Sequence, residues 1–330
     1  MSPVRVLYLA GSGRSGSTLV TTILGQLDGM FAAGELRYLW QRGIAENRPC
    51  GCGVPVPECP FWTRVLATLP PTDAGGIAAR LRTRLRLRKL PALLWRHRRG
   101  RPPVPRHPDD DILATLYAAV GTATGAVVVD SSKLPPYGAL LGTLPGIELR
   151  VLHLVRDPRA TAFSWRRRRR LDVPVGGGGD GRLMARPPVA KATLLWLVWN
   201  AATRLLWGAR HPERYLRVRY EDLVADPPGV IARIARFAGV EPAELPFPAP
   251  GVVRLAATHS VAGNPSRHRI GVLPVRADRE WVTGLSRAAY ALVTLLTLPA
   301  LRRLGYPVRR PGRRSRRDPR PGPRTVPEEG

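Results

Sequence analysis

Lysine is almost missing from this 330-residue chain. Only Lys89, Lys133 and Lys191 occur, so nearly all of the 52 Lys+Arg residues are arginine, set against 24 Asp+Glu. Cysteine is equally scarce. Three residues cannot make the fully paired disulfide framework of a small secreted fold. No uninterrupted apolar run reaches the ~20 residues of a membrane-spanning helix. Residues 288–301 are the longest and carry Pro299, while 192–208 is broken by Asn200 and Arg204. The chain also lacks the opening of a secretory signal, a basic start followed by an apolar stretch of roughly 7–15 residues. Its apolar residues 6–10 pass straight into Gly11-Ser12-Gly13-Arg14. The expectation is a soluble, cytoplasmic protein with no transmembrane segment.

Hydrophobic residues make up 44%, enough for a large core and too many for a fully disordered chain. The net charge of +28 points first to nucleic acid. Its distribution weakens that reading. Residues 80–106 hold eleven basic residues and no acid, 166–170 are five arginines, and 309–330 have eight arginines against three acids. The rest of the chain is near ordinary, no nucleic-acid-binding signature stands out, and the preference for Arg reads as a coding bias.

Strands are expected at 4–10, which is short, apolar and ended by glycine, and at 127–130, 148–155 and 215–218. Helices are expected at about 16–27, 109–122, 189–210, 229–238 and 284–304, with another starting at Pro158. Residues 80–88 alternate Arg with mostly Leu at period two, although propensity favours helix, and both assignments stay open. Residues 176–179 read as a flexible glycine loop. Strands alternating with helices imply an α/β fold, three-layered α/β/α around a central, mostly parallel sheet. One domain spans 1–308, with a Cys-rich loop at 50–60 and an Arg-rich insertion at about 75–108. Residues 309–330 read as a disordered basic tail.

Two motifs carry chemistry. The first is the strand–loop–helix Gly11-Ser12-Gly13-Arg14-Ser15-Gly16-Ser17-Thr18. Such a turn presents backbone N–H groups at a helix N-terminus, where free amides and the helix dipole favour an anion. Gly11 and Gly16 have the spacing of a phosphate loop, but Ser17 stands where that loop has lysine, and the cation is Arg14. The second motif runs from Arg156-Asp157-Pro158-Arg159 to Ser164. An arginine leaving a strand and a serine two turns into the next helix can converge on one phosphate.

In this order, the two motifs resemble those of the sulfotransferases that use 3′-phosphoadenosine 5′-phosphosulfate, a family of P-loop-like fold. The likeness extends from about residue 4 to 306, with insertions, and is nearest to bacterial carbohydrate- or lipid-directed members. The resemblance implies that Gly13 to Thr18 hold the 5′-phosphosulfate and that Arg156 and Ser164 hold the 3′-phosphate. It also implies that Tyr220, in Arg219-Tyr220-Glu221-Asp222-Leu223, lies near the adenine. The segment from His259 to Arg267 is similar to the loop that closes on the 3′-phosphate end. Carbohydrate-type members place a glutamate shortly after the first helix as general base. Here that residue is Glu35, with pairing to Arg37 or a helix end as the plainer alternative. Lys133 is placed to donate to the sulfuryl or bridging oxygens. The implied donor is the phosphosulfate nucleotide, with no metal expected, and the acceptor is a small-molecule, carbohydrate or lipid hydroxyl.

Some features remain outside this picture. Cys50, Cys52 and Cys59 have C-x-C-x₆-C spacing, shorter at the start than the usual zinc spacing of x₂₋₄. A compact loop is the favoured reading, with a zinc site completed by a fourth ligand, or a disulfide, as alternatives. His153, inside a strand, reads as a satisfied core residue. The competing function is a phosphate-loop nucleoside triphosphatase or kinase, with Asp130 ending an apolar strand as its magnesium residue.

Overall fold

Four of the five strands in the central sheet lie where the sequence places them. The computed structural model describes residues 3–167, 186–208 and 211–311. Arg168 to Arg170, the 176–179 glycine loop and the tail beyond 311 lie outside the described residues.

In chain order the elements begin with β1 (Val4–Ala10), α1 (Ser17–Leu24), β2 (Met30–Gly34), α2 (Pro60–Leu66), α3 (Ala74–Arg84) and α4 (Leu90–Arg98). Next come α5 (Asp109–Thr124), β3 (Val127–Lys133), α6 (Pro135–Leu141), β4 (Ile147–Val155), α7 (Pro158–Arg166) and α8 (Val189–Thr203). Then follow β5 (Tyr215–Arg219), α9 (Tyr220–Ala225), α10 (Pro227–Phe237), β6 (Val252–Leu255), β7 (Gly271–Pro274), α11 (Glu280–Gly284) and α12 (Arg287–Arg303).

The sheet order is β2-β3-β1-β4-β5. All four pairings are parallel, with Val6 opposite Val128 and Leu149. Because successive side chains alternate faces, β1 feeds two cores. Leu7 and Leu9 pack with Val20 and Ile23 of α1 and Ile231 and Ile234 of α10. Val6 and Tyr8 pack on the other face with Leu113 and Tyr117 of α5 and Tyr137 of α6. Helices thus cover both faces, giving three layers. The crevice at the carboxyl ends of β1, β3 and β4 is a topological switch point, where such sheets bind ligands.

The Arg-rich insertion is helical. The period-two alternation at 80–88 does not make a strand: α3 runs to Arg84 and a 3₁₀ turn follows at Leu87–Lys89. Its arginines are answered by the acids that come directly after it. Arg80 pairs with Asp109 (2.9 Å), Arg84 with Asp110 (2.7 Å) and Arg106 with Asp111 (2.7 Å). Three of the eleven charges are therefore neutralised at the start of α5.

The expected final helix is α12, whose start is fixed three residues late because Ser286 caps it through the Ala289 amide, and the short α11 precedes it. His153 is a satisfied core residue. Its ring nitrogens lie 2.6 Å from the Tyr215 hydroxyl and 2.8 Å from Asn200 Oδ1, and burial lowers its pKa to about 4. Among the described residues, no helix is long and apolar enough to cross a membrane.

Candidate active site

At the switch point lies a cavity of about 690 Å³. Its lining includes Gly13, Arg14, Gly16, Ser17, Thr18, Glu35, Lys133, Arg156, Ser164 and Tyr220. Seven cationic side chains (Arg14, Arg37, Arg42, Lys133, Arg156, Arg167 and Arg269) face three acids (Glu35, Asp278 and Glu280). That excess suits an anionic ligand.

The loop after β1 forms one wall. α1 starts at Ser17, and its first intrahelical bond runs from the Val20 amide to the Gly16 carbonyl. The amides of Ser17, Thr18 and Leu19 therefore have no acceptor within the helix, and all three residues line the cavity. Arg14 adopts a left-handed conformation (φ 70°), a cost of the kind that collects at functional sites. Its guanidinium lies 5.0 Å from the Trp165 ring centroid. Gly16 is also left-handed (φ 93°), and a Cβ there would stand 2.5 Å from Tyr220 Cδ2. Gly16→Ala should cost about 1–2 kcal/mol from the backbone conformation alone and push Tyr220 aside. Denaturant unfolding would show the loss as a lower midpoint.

Arg156 leaves β4 onto the same wall. It is buried, its Nη1 donates to the Arg14 carbonyl (3.2 Å), and its guanidinium lies 4.5 Å from the Tyr220 ring centroid. Trp196 Nε1 donates to the Arg156 carbonyl (3.0 Å), so α8 fixes its backbone. Pro158 opens α7, and its N-cap Asp157 accepts from the Arg159 amide (2.8 Å). This register brings Ser164, two turns on, to the cavity. Asp278 pairs with both Arg156 (3.0 Å) and Arg167 (2.9 Å). Burial pushes the Asp278 carboxyl up, but these two arginines overcome it and hold the group below the usual carboxylate range.

The opposite wall holds Glu35 and Lys133. Lys133 Nζ is 2.6 Å from Glu35 Oε1 and 2.7 Å from the Ser131 carbonyl. Burial raises the Glu35 pKa, yet the charge and hydrogen bond of Lys133, followed by Arg42 and Arg37, outweigh it and hold the carboxyl below its ordinary value. The plainer pairing with Arg37 is therefore not what holds this carboxylate; its ion-pair partner is Lys133. Both residues sit at strand ends, which gives the pair a rigid support. Gly34 has φ 79°, and a Cβ there would meet the Val261 carbonyl at 2.4 Å. Glycine lets the later loop come close enough for the Glu35 amide to donate to that carbonyl (2.7 Å).

Asp130 is not in the cavity wall. It is fully buried and accepts from Tyr117, the Ser132 amide (2.7 Å) and the Ser132 hydroxyl (2.6 Å), while burial raises its pKa to about 6. It acts as a brace for Ser132, whose hydroxyl accepts from the Arg37 amide (3.1 Å). The feature offered for a magnesium-dependent nucleotide hydrolase is therefore a core network.

Residues 7–244 match a family model described as "Sulfotransferase family". The chain belongs to the sulfotransferase family. It is 31% identical to carbohydrate sulfotransferase 7 of Mus musculus, in a match covering 55% of this chain and 44% of that protein. It is also 31% identical to carbohydrate sulfotransferase 2 of Homo sapiens, over 29% of this chain and 24% of that one. The chain thus spans less than half the length of these curated relatives. Among solved structures, the sulfotransferase domain of the Synechococcus PCC 7002 olefin synthase matches with a TM-score of 0.54 at 22% identity, covering 93% of this chain and 96% of that chain. The sulfotransferase domain from the curacin biosynthetic pathway matches with a TM-score of 0.51 at 18% identity, covering 93% and 99%. These two likenesses concern the fold.

Within the sulfotransferase fold, two expected site residues stand apart from the cavity wall. Ser15 is buried, and Arg267 is buried with its Nη2 donating to the Pro49 carbonyl (2.7 Å). Sequence reasoning missed Tyr38, Arg42 and Asp278. Tyr38 carries Arg37 and Arg42 over its ring, at 4.1 and 3.8 Å from the centroid. The signal for Arg42 was its nearness to Glu35 in sequence, but only the π-helical turn Leu39–Ala45 turns it toward the carboxylate. Asp278 follows the last strand and had no motif to announce it.

Proposed function

We propose that the protein transfers a sulfuryl group from 3′-phosphoadenosine 5′-phosphosulfate to a carbohydrate hydroxyl, with Glu35 as general base. One observation carries the reading. The 11–18 loop, Arg156 with Ser164, and the Glu35–Lys133 pair all open into one cationic cavity. In this reading the loop amides and Arg14 hold the 5′-phosphosulfate, and Arg156 and Ser164 hold the 3′-phosphate. Tyr220, packed against Gly16 and Arg156, borders the nucleotide. Ser15 and Arg267 support these loops from behind. Tyr38 with its two arginines forms an amphipathic wall near Glu35, suited to the apolar face and polar rim of a sugar ring.

Glu35 takes the proton of the acceptor hydroxyl while the acceptor oxygen bonds to sulfur. The bond between sulfur and the phosphate oxygen breaks, and 3′,5′-bisphosphoadenosine leaves with its electron pair. Negative charge grows on that bridging oxygen, where Arg14, the loop amides and Lys133 are positioned to stabilise it. The protein's part is mainly placement and charge, as in phosphoryl transfer.

Calorimetry with 3′,5′-bisphosphoadenosine, and separately with ATP and Mg²⁺, tests the donor. Bisphosphoadenosine should bind without metal and at least about ten-fold more tightly, a difference of ~1.4 kcal/mol. Metal-dependent preference for ATP would overturn the reading. Labelled donor offered with a panel of carbohydrates, lipids and small alcohols then tests the acceptor class.

A further inference from the structure

The chain's three cysteines meet His259, which lies 200 residues beyond Cys59. Cys50 and Cys52 lie in one tight turn, and Cys59 precedes α2. Cys52 Sγ is 3.7 Å from Cys59 Sγ, and Cys59 Sγ is 3.2 Å from His259 Nδ1. Cys50 Sγ lies 3.9 Å from the same nitrogen, and all four donor atoms fall within 4.8 Å of one another. A tetrahedral zinc ion with ordinary Zn–S and Zn–N bonds separates its ligand atoms by about 3.5–3.8 Å. The 3.2, 3.7 and 3.9 Å separations lie close to those edge lengths, and no pair of the four donor atoms is more than 4.8 Å apart. The thiols are free, and the 3.7 Å Sγ–Sγ separation is far longer than the ~2.05 Å of a disulfide.

The surroundings hold the ligands in place. Cys50 and Cys59 are buried and Cys52 is half-buried, which gives a cation one path inward. The Cys50 amide donates to the Val54 carbonyl (2.7 Å) and the Gly53 amide to the Cys50 carbonyl (2.9 Å), closing a knuckle around the unusually short C-x-C. A Cβ on Gly51 would stand 2.4 Å from the Thr258 carbonyl, so glycine between the two cysteines lets the histidine's loop reach them. Phe61 stacks on the His259 ring at 5.3 Å, and Trp62 Nε1 donates to the His259 carbonyl (2.8 Å). These contacts orient the imidazole as an outer shell does in metal sites.

We propose that Cys50, Cys52, Cys59 and His259 bind one zinc ion as a closed, structural site. Its work is to clip the late loop to the N-terminal half. The Gly51 amide donates to the Ser260 carbonyl (2.9 Å), and Val261, next along, exchanges backbone bonds with Ala33 and Glu35 (2.9 and 2.7 Å). Gly263 and Asn264 then continue into the cavity wall. The cation thus braces the backbone that carries the cavity's glutamate. The site stands on the four ligands alone, whatever reaction the cavity performs.

The test is metal analysis of full-length protein purified under reducing conditions without chelator. One zinc per chain, retained through desalting, is expected by elemental mass spectrometry. After Co²⁺ exchange, thiolate-to-cobalt charge-transfer bands and the d–d bands of a tetrahedral ion should appear. Cys52→Ser should lose the metal, whereas His259→Cys should keep it and shift the cobalt spectrum toward four thiolates. If these variants fail to fold, a mercurial titration of the wild-type protein gives the same answer, with three thiols reacting as one zinc is released. Less than about one zinc per five chains after incubation with Zn²⁺ would overturn the proposal. So would a Cys52–Cys59 disulfide that persists in protein purified under reducing conditions, or octahedral cobalt spectra.

Discussion

Glu35→Gln should lower kcat by about 10²–10⁴-fold and leave bisphosphoadenosine binding unchanged. Glutamine keeps the size of the side chain and an oxygen for the Lys133 hydrogen bond, but it cannot take a proton. A purely structural Glu35 would instead show itself as lost stability at near-normal turnover per folded molecule. If Glu35→Gln transfers sulfuryl groups at the wild-type rate, another group is the base. The pH profile adds a second readout. Burial raises the Glu35 pKa, while Lys133, Arg42 and Arg37 more than reverse it. The active form of a base is the deprotonated one, so activity is full above the depressed folded pKa and falls as pH drops through it. The stabilising effect of the Glu35–Lys133 pair has the same sign: it is present above the unfolded carboxylate pKa and lost as pH falls through the folded one. Lys133→Met removes the strongest opposing influence, so the acid limb of kcat/KM should move to higher pH.

Arg14→Ala should reduce kcat/KM by about 10²–10³-fold, the usual effect of removing one donor to a developing oxyanion. The substitution leaves the Arg14 carbonyl in place to accept from Arg156, so the loop keeps its main anchor. It removes the guanidinium held over Trp165. Arg14→Lys should recover only part of the loss, because an ammonium keeps the charge but not the planar fork. Calorimetry separates ground-state from transition-state effects. A loss confined to kcat marks charge stabilisation during transfer, and a matching loss of bisphosphoadenosine affinity marks donor binding. Unchanged affinity together with unchanged turnover would remove Arg14 from the site.

What was legible in the sequence follows from how local each cause is. β1, β3, β4 and β5 each centre on Val and Leu residues between turn residues, and each is legible in the sequence. β2 is apolar too, but Met30–Gly34 has no β-branched residue and holds two alanines and a glycine, weak strand formers that are paired in parallel with β3. Arg14, Gly16, Arg156 and Ser164 could be read because each motif brings its own strand end and helix start. Lys133 and Glu35 were singled out separately, but their 2.6 Å pairing depends on β2 and β3 being neighbours. The insertion at 75–108 looked like unopposed charge because its balancing acids, Asp109 to Asp111, begin just beyond its boundary. Arg267 looked like a phosphate ligand by position in a loop, but a loop's sequence does not say which side chains turn back toward Pro49.

Asp278 gives the cavity an unusual character. Its carboxylate already sits on Arg156 and Arg167, so in the proposed reaction the anionic nucleotide would enter by ion exchange. The free energy of uptake is then the difference between two anions competing for the same guanidinium groups. On the proposed reaction, such exchange would lower affinity for donor and product alike and would give the departing bisphosphate a successor on the arginines. Turnover limited by slow product release would gain from that arrangement.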